Sequence, residues 1–361
     1  MSTIHLRGPI LRGPDDVVGQ GWVVDGRMTY TKPSGSIDHT IDGWVIPGLV
    51  DAHCHIGLGA KGPVSDDEAL AHGQRDLSAG VTLVRDAGAP SDTNWLRDDL
   101  RVPEIIRAGK HIARTRRYFR DFAVEVEPEY LAAEATRQAK AGDGWIKLVA
   151  DWIDRETGDL GQTFTPEQFN AAIEAAHQAG ARVTAHAFDE GSIEPLVLGG
   201  IDGIEHATGM TETTVGLVAD HQVAVVPTLI NINTFESIVA SAREKFPTYA
   251  RHMQALYDRR YQTIHMAHEA GVPLFAGTDA GSAITHGRIG EELVELTKAG
   301  LSHTEALAAG CWHARKWLGY AGLEEGEWAD AMVVPQDPRE QVVVCQHPRA
   351  VLRRGRSVGL V

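Results

Sequence analysis

The sequence predicts an α/β fold, a (β/α)8 TIM-like barrel beside a small β-domain that both ends of the chain build. Three observations carry that expectation. Short apolar segments alternate with amphipathic helical patterns through the middle of the 361-residue chain. Both ends instead hold brief β-like pieces divided by Gly and Pro. The apolar segments of the middle also finish in histidines and an aspartate, and strand C-termini are where a parallel barrel keeps its chemistry.

In chain order, IHLRGPI, GWVVDGRMTY and SIDHTIDG within residues 4–44 read as small antiparallel strands. VIPGLVDAHCHI (45–56) leaves that domain at Pro47-Gly48 and becomes the first barrel strand. GVTLVRDAG (80–88), PEIIRAGKHIA (103–113), GWIKLVAD (144–151), ARVTAHAF (181–188), DGIEHAT (202–208), QVAVVPTL (222–229) and VPLFAGTDAG (272–281) bring the strands to eight. EYLAAEATRQAKA, PEQFNAAIEAAHQAG, ETTVGLVADH and a long pattern near 249–270 are the helices between them. Only a short candidate at 91–99 follows the second strand. Eight strands and their helices over about 230 residues fit a barrel better than an open sheet, and no GxGxxG follows an early strand. WADAMVVP, EQVVVCQ and AVLRRGRSVGLV return to β-like pieces. The expected division is residues 1–45 plus 322–361 for the small domain and 46–321 for the barrel.

Composition narrows the function. With 43% hydrophobic and 23% charged residues the chain can bury a large core, and its net charge of −15 argues against a nucleic-acid partner. No apolar run approaches the roughly 18 residues of a membrane span, and MSTIHLRGPI has no secretory pattern. Cys54, Cys311 and Cys345 are too few and too scattered for a disulfide framework. A cytoplasmic protein acting on a small molecule is expected.

In a strand, alternate residues share a face, so Asp51, His53 and His55 point one way and Ala52 and Cys54 the other. His186 ends the fifth strand, His206 the sixth and Asp279 the eighth, while Lys147 lies inside the fourth. Singly, each has an ordinary explanation: a hydrogen-bonded core histidine, a turn aspartate, a lysine paired with Asp279 or Asp51. Together they place four imidazoles and a carboxylate on one rim, the usual ligands of zinc and similar ions. An ammonium has no lone pair to give a metal. A lysine carbamate does, with two oxygens able to bridge cations about 3.5–4 Å apart. Alternation sends Glu205 and Cys54 to the opposite faces of their strands, where a structural role is expected. Asp51 lies deeper than His55 and is expected to support a ligand histidine.

With these residues in place, the sequence resembles the amidohydrolase superfamily. PGLVDAHCHI matches its first-strand signature and GTDAG its eighth-strand signature. LSHTEALAAGCWHARKWLGYAGLEEGEWADAMVV resembles its closing helix and return to the small β-domain. Within the superfamily the chain is most similar to the imidazolonepropionase-related branch with carboxylated-lysine Xaa-Pro and Xaa-Arg dipeptidases. The resemblance implies a distorted barrel with a composite β-sandwich, and a homo-oligomer. It implies two divalent metal ions, zinc first among the candidates. His53, His55 and Asp279 would hold one and His186 and His206 the other, with carboxylated Lys147 between them. The activity implied is hydrolysis of an amide bond in a dipeptide or N-acyl amino acid, with Asp279 moving the proton.

Tyr118, Arg117 and His286 are the candidates for substrate contact, and the arginines of RTRRYFRDF (114–122) for a substrate carboxylate. The alternatives are a one-metal cyclic-amide hydrolase or deaminase using Asp189 or Glu190 as an extra acid, an ester or organophosphate hydrolase, and a binding protein without chemistry.

Overall fold

The computed structural model describes residues 3–358. Leu49–Cys54, Val81–Asp86 and Glu104–Arg107 pair in parallel as one series. Ile112–Arg114, Trp145–Val149, Arg182–Ala187, Gly203–His206 and Ala224–Val226 form a second parallel series. Residues 272–281, expected as the eighth strand, lie between the two without becoming a regular strand. Val225 N–H donates to Pro273 O at 2.8 Å on one side, and Ala52 N–H to Ala276 O at 2.9 Å on the other. The left-handed backbone at Asp279, φ 56°, interrupts the pairing, which resumes at Ala280, whose carbonyl accepts from His55 N–H at 2.7 Å. At the other junction Asp143 N–H donates to Arg107 O at 2.7 Å.

Strands in such a series have both faces covered, so they are apolar without alternation. All five residues of Trp145–Val149 are buried, Lys147 included. The helices bury one stripe each. In Pro166–Gln178 the buried residues are Phe169, Ala172, Ile173 and Ala176, spaced for one helical face. Thr165 and Gln168 close a capping box at its start, and Pro166 sits where a missing N–H costs nothing.

Both chain ends enter one eight-stranded sheet. Trp44–Pro47 pairs antiparallel with Ala331–Val334, which pairs with Ala350–Arg353, while Ile4–Leu11 lies on the other side of Trp44–Pro47. Ile4, Leu6, Ile10, Val23, Val45, Val333 and Leu352 form its apolar cluster. The expected first strand is therefore two. Trp44–Pro47 belongs to this sheet and Leu49–Cys54 to the parallel series, with Gly48 between them accepting two bonds from the buried Arg315 guanidinium at 3.0 and 2.9 Å.

Several elements differ from expectation. EQVVVCQ is not a strand: Val342–Gln346 is a 3-10 helix that buries Val342 and Cys345, three residues apart as that geometry requires. The segment 103–113 divides into Glu104–Arg107 and Ile112–Arg114 around Gly109. The long pattern near 249–270 divides at Arg259 into Pro247–Asp258 and Arg260–Glu269. Asp66–Ser78 is a helix the sequence reading did not name, although Ser65 caps it and Asp66, Asp67 and Glu68 suit its positive end. The last strand's residues 359–361 lie outside the described residues. Among those described, no helix is long and apolar enough to cross a membrane.

Candidate metal centre

His53 and His55 turn their Nε2 atoms toward one point. Those atoms lie 3.2 Å apart, and Asp279 Oδ1 is 3.1 Å from the first and 3.0 Å from the second. The far sides of both rings are committed. His53 Nδ1 lies 2.7 Å from Glu205 Oε2, and His55 Nδ1 2.6 Å from the carbonyl of Gly88. A carbonyl or carboxylate oxygen only accepts, so both rings carry their proton at Nδ1 and present lone pairs at Nε2. Two lone pairs and a carboxylate oxygen about 3 Å apart repel one another unless a cation sits among them, so the donor set fits a divalent ion. His53, His206 and Asp279 also offer ligand atoms within 4.8 Å of one another.

His206 is oriented by Thr228 Oγ1, 2.7 Å from its Nδ1, and its ring lies 4.9 Å from that of His186. His186 Nε2 is buried with no hydrogen bond, its nearest carboxylate oxygen being Asp151 Oδ1 at 3.7 Å. Lys147 is buried beside them, and burial pulls its ammonium down to about 8 against the opposing pull of Glu205 and Asp279. The ion pair with Asp279 or Asp51 that was the ordinary alternative for Lys147 is not among the salt bridges of the described residues. The structure thus brings together all six residues expected at the rim: His53, His55, Lys147, His186, His206 and Asp279.

Burial holds the imidazoles of His55, His186 and His206 below their ordinary value. His53 is the exception. Burial and Lys147 push it down, but Glu205 and Asp279 on either side outweigh them and raise it. Asp279 is pushed up by burial and pulled well below the usual carboxylate range by His53, His55 and His206.

Glu205 corrects the sequence reading. It does not face the helices: it is fully buried against His53, with Arg85 Nη2 donating to its Oε1 at 2.5 Å and the Thr184 hydroxyl at 2.5 Å. Strand alternation fails here because His206 and Ala207 have left-handed backbones, φ 66° and 52°, so consecutive residues both reach inward. Asp51 supports the site, though through backbone: it accepts from His53 N–H at 3.2 Å, Thr278 N–H at 3.0 Å and the Thr278 hydroxyl at 2.5 Å. Gly277 permits that approach, since a Cβ there would lie 2.7 Å from His53 N.

Of the three residues expected to touch substrate, only Tyr118 is beside the centre. Its ring lies 4.7 Å from Trp152, 5.4 Å from His111 and 6.2 Å from His186, and burial raises its phenol. Arg117 is committed elsewhere: it donates to Asp154 Oδ2 at 3.1 Å, Trp152 O at 3.2 Å and Gly161 O at 3.1 Å, tying down the hairpin of Asp151–Asp154 and Asp159–Gln162. Arg114 likewise donates to Thr163 O at 3.0 Å. His286 lies behind the first strand, with Nδ1 2.7 Å from Asp76 Oδ2, its ring stacked 4.3 Å from His72, and Cys54 alongside. Loop position alone could not reveal this, because residues 281–288 run back over the helix Asp66–Ser78. Glu190 is also engaged, by His252 at 2.8 Å and Arg259 at 2.6 Å. His111, Trp152 and Phe188, which crowd His186 and Tyr118, were not anticipated. The histidine inside the apolar run AGKHIA was the available signal for the first.

The profile of the amidohydrolase family matches residues 44–358. An uncharacterised protein of Mycobacterium tuberculosis is 50% identical over 358 residues, covering 99% of this chain and 96% of its own length. Ochratoxinase of Aspergillus niger is 25% identical over 85% of this chain and 73% of its own length. A crystal structure of an Xaa-Pro dipeptidase with methionine bound in its active site superposes with a TM-score of 0.84 at 23% identity, over 99% of both chains. The converging histidines and aspartate, the parallel strand series and this match over most of the chain agree, and the chain belongs to the amidohydrolase family, a hydrolase acting on carbon–nitrogen bonds.

Proposed function

We propose that the protein cleaves the C–N bond of a small amide, a dipeptide or N-acyl amino acid in type, at a centre of two divalent ions, zinc first among the candidates. His53, His55 and Asp279 would hold one ion, His186 and His206 the other, and Lys147 as its carbamate would lie between. The observation that carries this reading is the convergence of His53 Nε2, His55 Nε2 and Asp279 Oδ1 within 3.2 Å, with both far-side nitrogens already bonded. The relatives, an Xaa-Pro dipeptidase and an ochratoxinase, support the bond type. The same comparisons favour a closed (β/α)8 barrel over residues 46–321 with a β-sandwich from both termini. Three buried free cysteines accord with a reducing, cytoplasmic setting.

When bound, the ions would supply an acidified water and polarise the substrate carbonyl. The chain's own residues do the rest. Glu205, Gly88 and Thr228 hold the ligand rings so that their lone pairs face inward. Asp279, with a side chain 20% exposed, would take a proton from water and return it to the leaving nitrogen. Tyr118, Trp152 and Phe188 form an aromatic wall beside His186. Elemental analysis of protein purified with zinc and bicarbonate should find about two ions per chain, with turnover of some dipeptide or N-acyl amino acid. Fewer than one ion per chain, unchanged by either addition, would sink the reading.

A further inference from the structure

Behind the first parallel strand lies a polar group that the rim does not use. Cys54 Sγ, a carboxylate oxygen of Asp76 and a ring nitrogen of His286 lie within 4.8 Å of one another, all three residues buried. His53, His206 and Asp279 meet the same spacing at the rim. Cys54 alternates with His53 and His55, so the two groups lie on opposite sides of one strand.

A buried thiol alone is an ordinary apolar filler, and His286 Nδ1 with Asp76 Oδ2 at 2.7 Å is an ordinary pair. That pair leaves the imidazole half satisfied. His286 Nε2 is buried without a hydrogen bond among the described residues, on a side chain 1% exposed. Asp76 is fixed in turn, its Oδ1 accepting from Gly287 N–H at 2.7 Å. A carboxylate on Nδ1 with Nε2 left over is also how Glu205 presents His53 to the rim. A buried nitrogen in that state is costly until a partner arrives.

Charge and access both suit an ion. A Cys54 thiolate and the Asp76 carboxylate carry two negative charges, so a divalent cation would leave the buried group neutral. Sulfur and imidazole nitrogen favour a zinc-like ion over magnesium or calcium. The group is covered by one surface segment, in which Ala283 and Thr285 are exposed on either side of buried Ile284. Glu68, its side chain 56% exposed, lies 3.9 Å from His72 Nε2, and the His72 ring stacks 4.3 Å from that of His286. The way in from solvent is short.

We propose that Cys54, His286 and Asp76 form a separate site for a zinc-like divalent ion, a third beside the two proposed at the rim. The thiolate and the imidazole would be its ligands, and Asp76 its counter-charge and support. Binding forms metal–sulfur and metal–nitrogen bonds and releases the thiol proton to solvent. The ion would tie the strand bearing His53 and His55 to the helix Asp66–Ser78 and to residues 281–288.

The probe is cobalt(II) alone, added with a reductant to the chelator-treated full chain. A cysteine ligand gives a thiolate-to-cobalt charge-transfer band in the near ultraviolet, which the imidazoles and carboxylates of the rim do not. Wild type should show the band, and Cys54→Ser should lose it. Asp76→Asn, which leaves the thiol in place and carries the test if Cys54→Ser does not fold, should weaken the band's cobalt affinity about 10- to 100-fold. His206→Asn, altered at the rim, should keep it. No band in wild type, a band undiminished in Cys54→Ser or Asp76→Asn, or one lost in His206→Asn would overturn the proposal. The rim reading is separable: a band with only about one ion per chain in all would overturn that reading and leave this site standing.

Discussion

Replacing Glu205 by Gln should destabilise the protein even when no metal is present. Glu205 is the anion for Arg85, which is 0% exposed and has Nε and Nη1 without hydrogen-bond partners. Glutamine can still accept from His53 or Thr184, but it leaves a buried guanidinium without a counter-charge. Losing one partner of a buried pair costs about 3–5 kcal/mol. The faces of Trp145 and Trp317, 4.7 and 5.2 Å from the Arg85 guanidinium carbon, soften that cost. Cation–π contacts contribute about 1 kcal/mol, so a loss near 3 kcal/mol is expected. Urea denaturation of chelator-treated wild type and Glu205→Gln measures it directly. The sign with pH is also fixed. The Glu205 carboxyl is pushed up by burial but drawn well below its ordinary value by Arg85, His53 and Lys147. Its contribution is therefore present above the unfolded value of about 4.3 and fades as pH falls below it. With metal present, affinity should also drop about 10- to 100-fold, as when the group orienting a ligand histidine is removed. A stability loss under about 1 kcal/mol would refute the reasoning, since that is the scale of an ordinary hydrogen bond.

Lys147→Ala should lose one of two ions and nearly all turnover, whereas bicarbonate should raise metal content in wild type only; elemental analysis decides. Arg117→Ala should loosen the hairpin of Asp151–Asp154 and Asp159–Gln162 and speed its proteolysis. It should lower kcat/KM equally for substrates with and without a carboxylate, and a selective loss for the carboxylates would contradict the assignment. His252, between Asp159 at 2.9 Å and Glu190 at 2.8 Å, is raised to about 9 by Glu190 and Asp159 against burial. Its stabilisation is complete below about pH 6.5 and lost as pH rises toward 9. Thermal melting from pH 6.5 to 9.5 should show that decline in wild type and not in His252→Gln.

The rim residues were readable because each ends or occupies an apolar strand, and strand periodicity says which way it points. Glu205 was misread for the same reason: periodicity holds only while the backbone stays extended, and nothing local in IEHAT announces the left-handed pair at His206 and Ala207. Arg117 and His286 were misplaced because a loop's sequence does not say what it folds against. Apolar VVVCQ has the composition of a strand, yet its neighbours are helices, and packing on one face selected the 3-10 turn. The helix at Asp66–Ser78 was readable in its cap and first-turn acids.

The segment carrying Asp279 joins its neighbours by isolated bridges rather than by a continuous ladder. Its amides are bonded to Val225, Ala309 and His53 but lack the mutual support of a ladder, so they should exchange faster than those of the regular parallel strands when the protein is metal-free. An ion gripped by His53 on one strand and Asp279 on this segment would act as a clasp across that seam. Deuterium uptake at 274–280 should then slow on metal addition more than at any other strand, making the reaction centre also the catch that closes the wall around it.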